Sequence, residues 1–536
     1  MIVSGTGFAL LFPMRDQLGK ENSSWAIACI GVRAVFGIRA LPFAAAVSLC
    51  VALPARVHAT TLVVSPTGTN GATCGAPTSP CKTIAHAYSL VAAGDTILVK
   101  PGTYKNEFNH TWSTGEHVFR LTKDGTEQNP ITLRSDVPLA AVIDALDSPM
   151  LPSVLSVSGN HHVIEGFKLV NGSHDGIVVW GSHNRFLGNE VAFNGNHGDP
   201  TSSYGHDGIY TAENTAGNQF LRNYIHHNGR PQCGSSATCN LDHGLYLCGD
   251  GELVANNISA NNSSYGLQIA GYQTVSGMRV FHNVFAKNGR SGFVVWHSAS
   301  DVLIQNNICY ENAQHAAVVY DYLPGDGDKL DGVVISNNIF YGNKASNGFY
   351  FPKNGGAGAG YSLAANQVVD PMFANASAND FRLSTASSPA VDAGVMLAQI
   401  TADFAGTARP QGSGWDIGAY EWSDSSGGAS GGTAGSAGTG AGGGNRGGAA
   451  GNAGTSGGGT AGSAGTPSAG NGGASSSGAR DGDTSEAPEG CSCHAAGSGR
   501  VKESPILAAG ALLWLWIRRR RRAAAGCLPS KPGLTS

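Results

Sequence analysis

Two proton-carrying residue types stand side by side three times in the middle of this chain. The stretches SHDGIVVW (173–180), GHDGIYTA (205–212) and DHGLYL (242–247) each set a histidine and an aspartate directly before a glycine and an apolar run. A histidine titrates near neutrality, and an aspartate beside it can orient the ring or bind a hard cation. His174, Asp175, His206, Asp207, Asp242 and His243 are therefore the candidates for proton transfer. The plainer reading stays open, because an Asp before Gly is also favoured in tight turns, where its carboxylate accepts from nearby backbone amides.

Three occurrences need an element that repeats. From about residue 160 to 345 two patterns alternate. One ends in asparagine-rich turns (FLGNEVAFN, FLRNYIHHN, LVANNISAN, VFHNVFAKN, LIQNNICYEN, VISNNIFYGN) and places Asn189, Asn223, Asn256, Asn283, Asn306 and Asn337 as equivalents. The other carries Gly176, Gly208, Gly244, Gly266 and Gly292, separated by 32, 36, 22 and 26 residues. Such spacing fits one turn of a β-solenoid with insertions in two coils, in which each coil buries its apolar face only by stacking on its neighbours. Period-two alternation turns Ile209, Leu245 and Leu267 inward and Tyr210, Tyr246 and Gln268 outward. The asparagines suit an internal ladder of stacked amides.

At these residues the chain resembles the right-handed parallel β-helix proteins of the pectate-lyase-like class, over residues 60–422. The entry LVVSPTGTNGATCGAPTSPCKTIAHAYSLVAAGDTILVKPGTY is similar to that class's beginning: a strand, a helix bearing Ile84, Tyr88 and Val91 that covers a strand edge, then the first coil. The closing VVDPMFANASANDFRLSTASSPAVDAGV and WDIGAYEW are similar to the last coils of secreted members. The expected fold is all-β, a right-handed parallel β-helix with an N-terminal capping helix, followed by a disordered linker and a short C-terminal hydrophobic segment.

Stacked coils bring the six candidates within rungs about 4.8 Å apart. The two insertions, GNHGDPTSSYG and GRPQCGSSATCNLD, enter at this column and are expected to wall a cleft. Tyr210 and Tyr246 then offer rings to a sugar, while Arg290 and, more weakly, Arg222 and Arg230 offer cations to a uronate carboxylate. The reading is an enzyme for acidic polysaccharide, a lyase or C5-epimerase, with His206 as base and Asp207 and Asp242 orienting histidines or holding calcium. Two alternatives stand beside it: a non-catalytic glycan-binding or adhesive β-helix, and a glycoside hydrolase using Asp207 with Asp242. The motif context lacks the lysine or arginine base of the best-known lyases and the Asp-Pro-His phrase of uronan epimerases. His161, His162, His226, His227 and His297 are expected to face solvent.

The remaining sequence concerns placement. Net charge is −4 with 13% charged residues, which favours neither nucleic acid nor lipid as main partner; a monomer is expected. Residues 1–59 read as a presequence, with LPFAAAVSLCVALP and cleavage after Val57-His58-Ala59. In an exported protein two disulfides are expected, Cys74 with Cys81 and Cys233 with Cys239, while Cys248 and Cys309 are expected to be buried thiols. Residues 423–490 are a Gly/Ala/Ser-rich tether. Residues 491–536, with EGCSCHAAG leading into PILAAGALLWLWI and five arginines, resemble a myxobacterial C-terminal sorting signal with Cys491 as attachment point. That resemblance implies display on the cell surface or outer envelope.

Overall fold

The computed structural model describes residues 59–423 except 112–116, 147, 149–151, 197–204, 232–239 and 270–272, together with two strands nearer the N-terminus. Those two, Ile27–Gly31 and Ser48–Ala52, pair antiparallel within a separate unit of residues 1–60. The tether, Cys491 and the C-terminal hydrophobic segment lie outside the described residues. Among the described residues no helix is long and apolar enough to cross a membrane.

From Thr61 the chain winds through three long parallel sheets, visiting each once per coil. Sheet 1 has 11 strands, from Thr61–Val64 to Tyr361–Ala364; sheet 2 has 9, from Gly102–Lys105 to Ile339–Tyr341; sheet 3 has 9, from Arg120–Leu121 to Ser346–Tyr350. One coil runs His162–Glu165, Phe167–Val170, Asp175–Val179 and then enters the next at Arg185–Leu187. Inward residues of all three sheets, among them Ile164, Leu169, Ile177, Ile209, Leu245 and Leu267, are fully buried in one core. Helix α1 (Ile84–Leu90) caps the first coil: Ile84, Ala87 and Tyr88 are buried, Thr83 accepts from the His86 amide, and the Glu107 carboxylate accepts from the Ile84 and Ala85 amides.

Of the two expected disulfides, Cys74–Cys81 is formed at this end, and it is the one disulfide among the described residues. The other expected bridge, Cys233 with Cys239, lies outside the described residues. Cys248 and Cys309 are buried, as expected.

The glycine column is a steric requirement. A Cβ on Gly176, Gly208, Gly244, Gly266 or Gly292 would lie 2.6–2.7 Å from the carbonyl oxygen of the next coil's equivalent residue.

The asparagine ladder exists, but in a different register from the one expected at three turns. Between sheets 1 and 2 it runs Asn189, Asn223, Asn257, Asn283, Asn307, Asn338 and Asn366. Asn256, Asn306 and Asn337, the first residue of each Asn-Asn doublet, occupy the preceding position. There Gly188, Arg222, Asn256, His282, Asn306 and Asn337 all take left-handed backbone, φ 54–61°. Asparagine tolerates that region better than most side chains, so both places in the turn select it. The three displaced asparagines dock the C-terminal segment instead: Asn256 donates to the Ala402 carbonyl, Asn306 to Val395 and Asn337 to Ala393. A second ladder, Asn194, Asn228, Asn262, Asn288, Asn312 and Asn343, follows sheet 2.

A shorter ladder, Asn184 and Asn218, ends on a carboxyl. Glu252 is fully buried, accepts from the Asn218 amide and the Thr211 hydroxyl, and burial pushes its pKa up to about 8. With the folded value above the ordinary 4.5, the fold favours the neutral acid, so stability falls as pH rises from about 4.5 through about 8. Glu252→Gln, neutral at every pH, is expected to melt above the wild type at pH 9 and close to it at pH 5. A melting difference that is the same at both pH values would contradict the assignment.

Candidate functional site

The six residues meet where each coil leaves sheet 2 and enters sheet 3. The glycine register aligns His174, His206 and Asp242 in one column and Asp175, Asp207 and His243 in the next, directly before the glycines. The exchange of His and Asp in the third stretch thus places an aspartate above histidines and a histidine above aspartates. The His174 and His206 rings stack at 4.0 Å, and His243 stacks on Tyr265 of the following coil at 5.2 Å.

The carboxylates reach along the solenoid axis rather than outward. Asp175 accepts from the Asp207 amide (2.9 Å), and Asp207 accepts from the His243 amide (2.8 Å). Asp242 accepts from the His206 amide at 3.2 Å and is gripped by Arg230, whose Nε and Nη2 donate to its two oxygens at 2.8 and 2.7 Å. The turn-satisfying role therefore operates in all three aspartates, coil to coil.

This arrangement corrects several expectations. His206, Asp207, Asp242 and His243 are buried, so His206 is not the base that meets substrate. Arg230 is fully buried and committed to Asp242, which removes it as a substrate contact and removes Asp242 from a hydrolytic pair with Asp207. Calcium at Asp207 and Asp242 does not fit either, because both Asp242 oxygens already face the guanidinium; no group of three or more metal-ligating side chains occurs among the described residues. Arg222 lies in the turn from sheet 1 to sheet 2, against Gly406, and does not join the column. Arg290 does continue it, half-buried with its guanidinium over the Tyr265 ring at 6.0 Å. It stands four rungs, about 19 Å, from His174. The walls expected from the two insertions fall largely on residues 197–204 and 232–239, the latter holding Cys233 and Cys239, and these lie outside the described residues.

What remains accessible is the first rung. His174 keeps 30% of its side-chain surface and Asp175 15%, with His174 Nδ1 4.0 Å from the Asp175 carboxylate. Burial raises the Asp175 pKa to about 6, against the lowering effect of His174. Burial and then the neighbouring Asp175 charge hold Asp207 well above the carboxylate range. Burial thus leaves Asp175 poised near neutrality, and repulsion from Asp175 adds to burial in keeping Asp207 protonated. Burial and the Arg290 charge push His243 down to about 3, leaving it neutral.

Beside the column runs the outer face of sheet 3. Tyr210, Tyr246 and Gln268 point outward as expected, paired rung to rung with Val178 and Val294. They are more covered than a free surface: Tyr210 is half-buried, and Tyr246 and Gln268 are buried. Trp180 packs edge-on against Tyr210 at 6.2 Å, Tyr210 lies 5.5 Å from Tyr246, and Tyr246 shares an apolar cluster with Cys248 and Trp296. Trp180 and Trp296 are absent from the ligands expected from sequence, although each directly follows an alternating strand of the repeat, on its outer parity. The five other histidines divide: His162 and His226 are buried, His161 and His297 half-buried, His227 exposed.

Comparison with known proteins agrees with this architecture. Residues 62–266 match the family described as Pel9A-like, right handed beta helix region, and residues 234–382 match the right handed beta helix region family. An uncharacterized protein, YwoF, of Bacillus subtilis (strain 168) is 25% identical over 354 residues, 58% of this chain and 68% of that protein. Pectate lyase L of Paenibacillus polymyxa (strain SC2) is 24% identical over 284 residues, 50% of this chain and 60% of the lyase, so the match spans less than two thirds of it. Among solved structures, pectate lyase Pel9A superposes with a TM-score of 0.49 at 19% identity, over 68% of this chain and 96% of its own. The periplasmic alginate epimerase AlgG gives 0.37 at 12% identity, over 52% and 61%.

Proposed function

We propose that this chain, a right-handed parallel β-helix with pectate-lyase-like regions, acts on acidic polysaccharide laid along the outer face of sheet 3, by proton transfer at C5 of a uronate. The observation that carries the reading is the carboxyl pair Asp175/Asp207, poised at about 6 on its accessible member, next to an aromatic strip. Asp175 takes the proton and His174 at the rim is its acid partner; loss of the C4 substituent then gives elimination, and return of a proton to C5 gives the epimer. Trp180 and Tyr210 offer faces to the sugar rings, and Arg290, four rungs on, meets the carboxylate of a different residue of the same glycan. The presequence and the C-terminal Cys-Ser-Cys, apolar and arginine segments support export and display of the chain at the cell surface.

A non-catalytic glycan-binding surface is the second reading. It is favoured by the aspartates' bonds to the backbone of the next coil, which explain those residues without chemistry. Incubation of the full chain with pectate, alginate and glycosaminoglycans separates the two. A rise in unsaturated-uronate absorbance, or a change in C5 configuration by NMR, supports the enzyme; retention on an acidic-glycan column with neither change supports the binding surface and overturns the enzyme.

A further inference from the structure

On the outer face of sheet 2, away from the column just described, two adjacent histidines aim the same ring nitrogen at one another. His226 Nδ1 and His227 Nδ1 are 2.7 Å apart, with the ring planes at 87°. In the protein alone, one Nδ1–H donates to the other nitrogen. Two imidazole nitrogens bound at right angles on bonds of about 2.0 Å stand roughly 2.8 Å apart, so the spacing is also that of a cis pair of metal ligands.

The second observation is that both rings are held from behind. His226 is buried, its ring tilted against Tyr224 at 4.0 Å, and its Nε2 lies 3.6 Å from the Glu190 carboxylate. Lys168 fixes that carboxylate at 2.9 Å. At that distance the carboxylate makes no hydrogen bond to Nε2, but its negative charge behind the ring favours a cation on the Nδ1 side. His227 is exposed, with Phe193 stacked on it at 5.3 Å and 22°. Its own backbone is left-handed, at φ 54°, which swings the ring back toward His226.

We propose that His226 and His227 form a two-nitrogen site for a late divalent transition ion, with Glu190 behind it and the remaining coordination positions open to water or an oxygen ligand. A right-angled pair of imidazoles suits the tetragonal preference of Ni2+ or Cu2+. Binding displaces the proton shared between the two rings and turns both nitrogens toward the common ion.

Ni2+ titration of the full chain by calorimetry tests this, comparing wild type with His227→Asn, which suits left-handed backbone, and with Glu190→Gln. Sites elsewhere, including Cys491, Cys493 and His494, are common to all three proteins and cancel in the difference. The expected result is loss of one Ni2+ equivalent in His227→Asn and weakening of that equivalent by about 10–100-fold in Glu190→Gln. Wild-type stoichiometry and affinity in both variants would overturn the proposal.

Discussion

Asp175→Asn is expected to lower the rate of C5 proton removal by about 10²–10⁴-fold, the range for loss of a positioned general base, while melting near the wild type at about pH 4 and above it at neutral pH. The amide oxygen can still accept from the Asp207 amide, so the coil-to-coil bond at 2.9 Å survives. The wild-type rate is expected to fall as pH drops below about 6, because a base works only when ionised. Stability follows the opposite sense. The folded pKa lies above the ordinary 3.8, so the fold favours the neutral acid and loses stability as pH rises from about 3.8 to about 6. Asp175→Asn should abolish that slope along with the activity. Retention of full rate by a folded variant would remove this residue from the chemistry.

The largest loss of stability is expected from the ladder. Asn257 accepts from the backbone and side-chain amides of Asn223 at 2.9 and 3.0 Å and donates to the Phe220 carbonyl and to Asn283 at 2.8 and 3.0 Å. All of these groups are buried, so Asn257→Ala strands several polar atoms at once, each costing about 1–3 kcal/mol. Allowing for relaxation, a loss of roughly 3–5 kcal/mol is expected in denaturant unfolding. Asn256→Gly keeps the left-handed turn and gives up the contacts to Ala402 and Arg409 at the C-terminal segment. It is expected to cost about 1–2 kcal/mol. Equal losses in the two variants would mean that the ladder does not distinguish the members of the doublet.

That doublet also shows how far the sequence can be read. The repeat is visible because a missing side chain is required at Gly176, Gly208 and Gly244, and an amide is required at Asn189, Asn223 and Asn283. In Asn256–Asn257 two different physical demands, left-handed backbone and a ladder amide, select the same residue type, so spacing alone cannot assign them. The site is legible as a cluster but not in depth. Parity fixes which residues alternate, whereas the burial of His206 and Asp242 follows from Arg230, a partner 12 residues before Asp242 that no local pattern marks. The two outward residues Tyr246 and Gln268 fall on the expected face, yet their coverage depends on what packs over that face. His226 and His227 read as solvent-facing turn residues because Glu190 and Phe193, which pack against them, come from the neighbouring coil and are aligned only by stacking.

The most direct test of proton transfer at Asp175 is an incubation of the full chain with pectate and with alginate in D2O, followed by NMR at C5. The account predicts loss of the C5 proton signal, with deuterium in recovered sugar or an unsaturated product, and neither in Asp175→Asn. An unchanged C5 proton on every acidic glycan that the wild-type chain binds would contradict it.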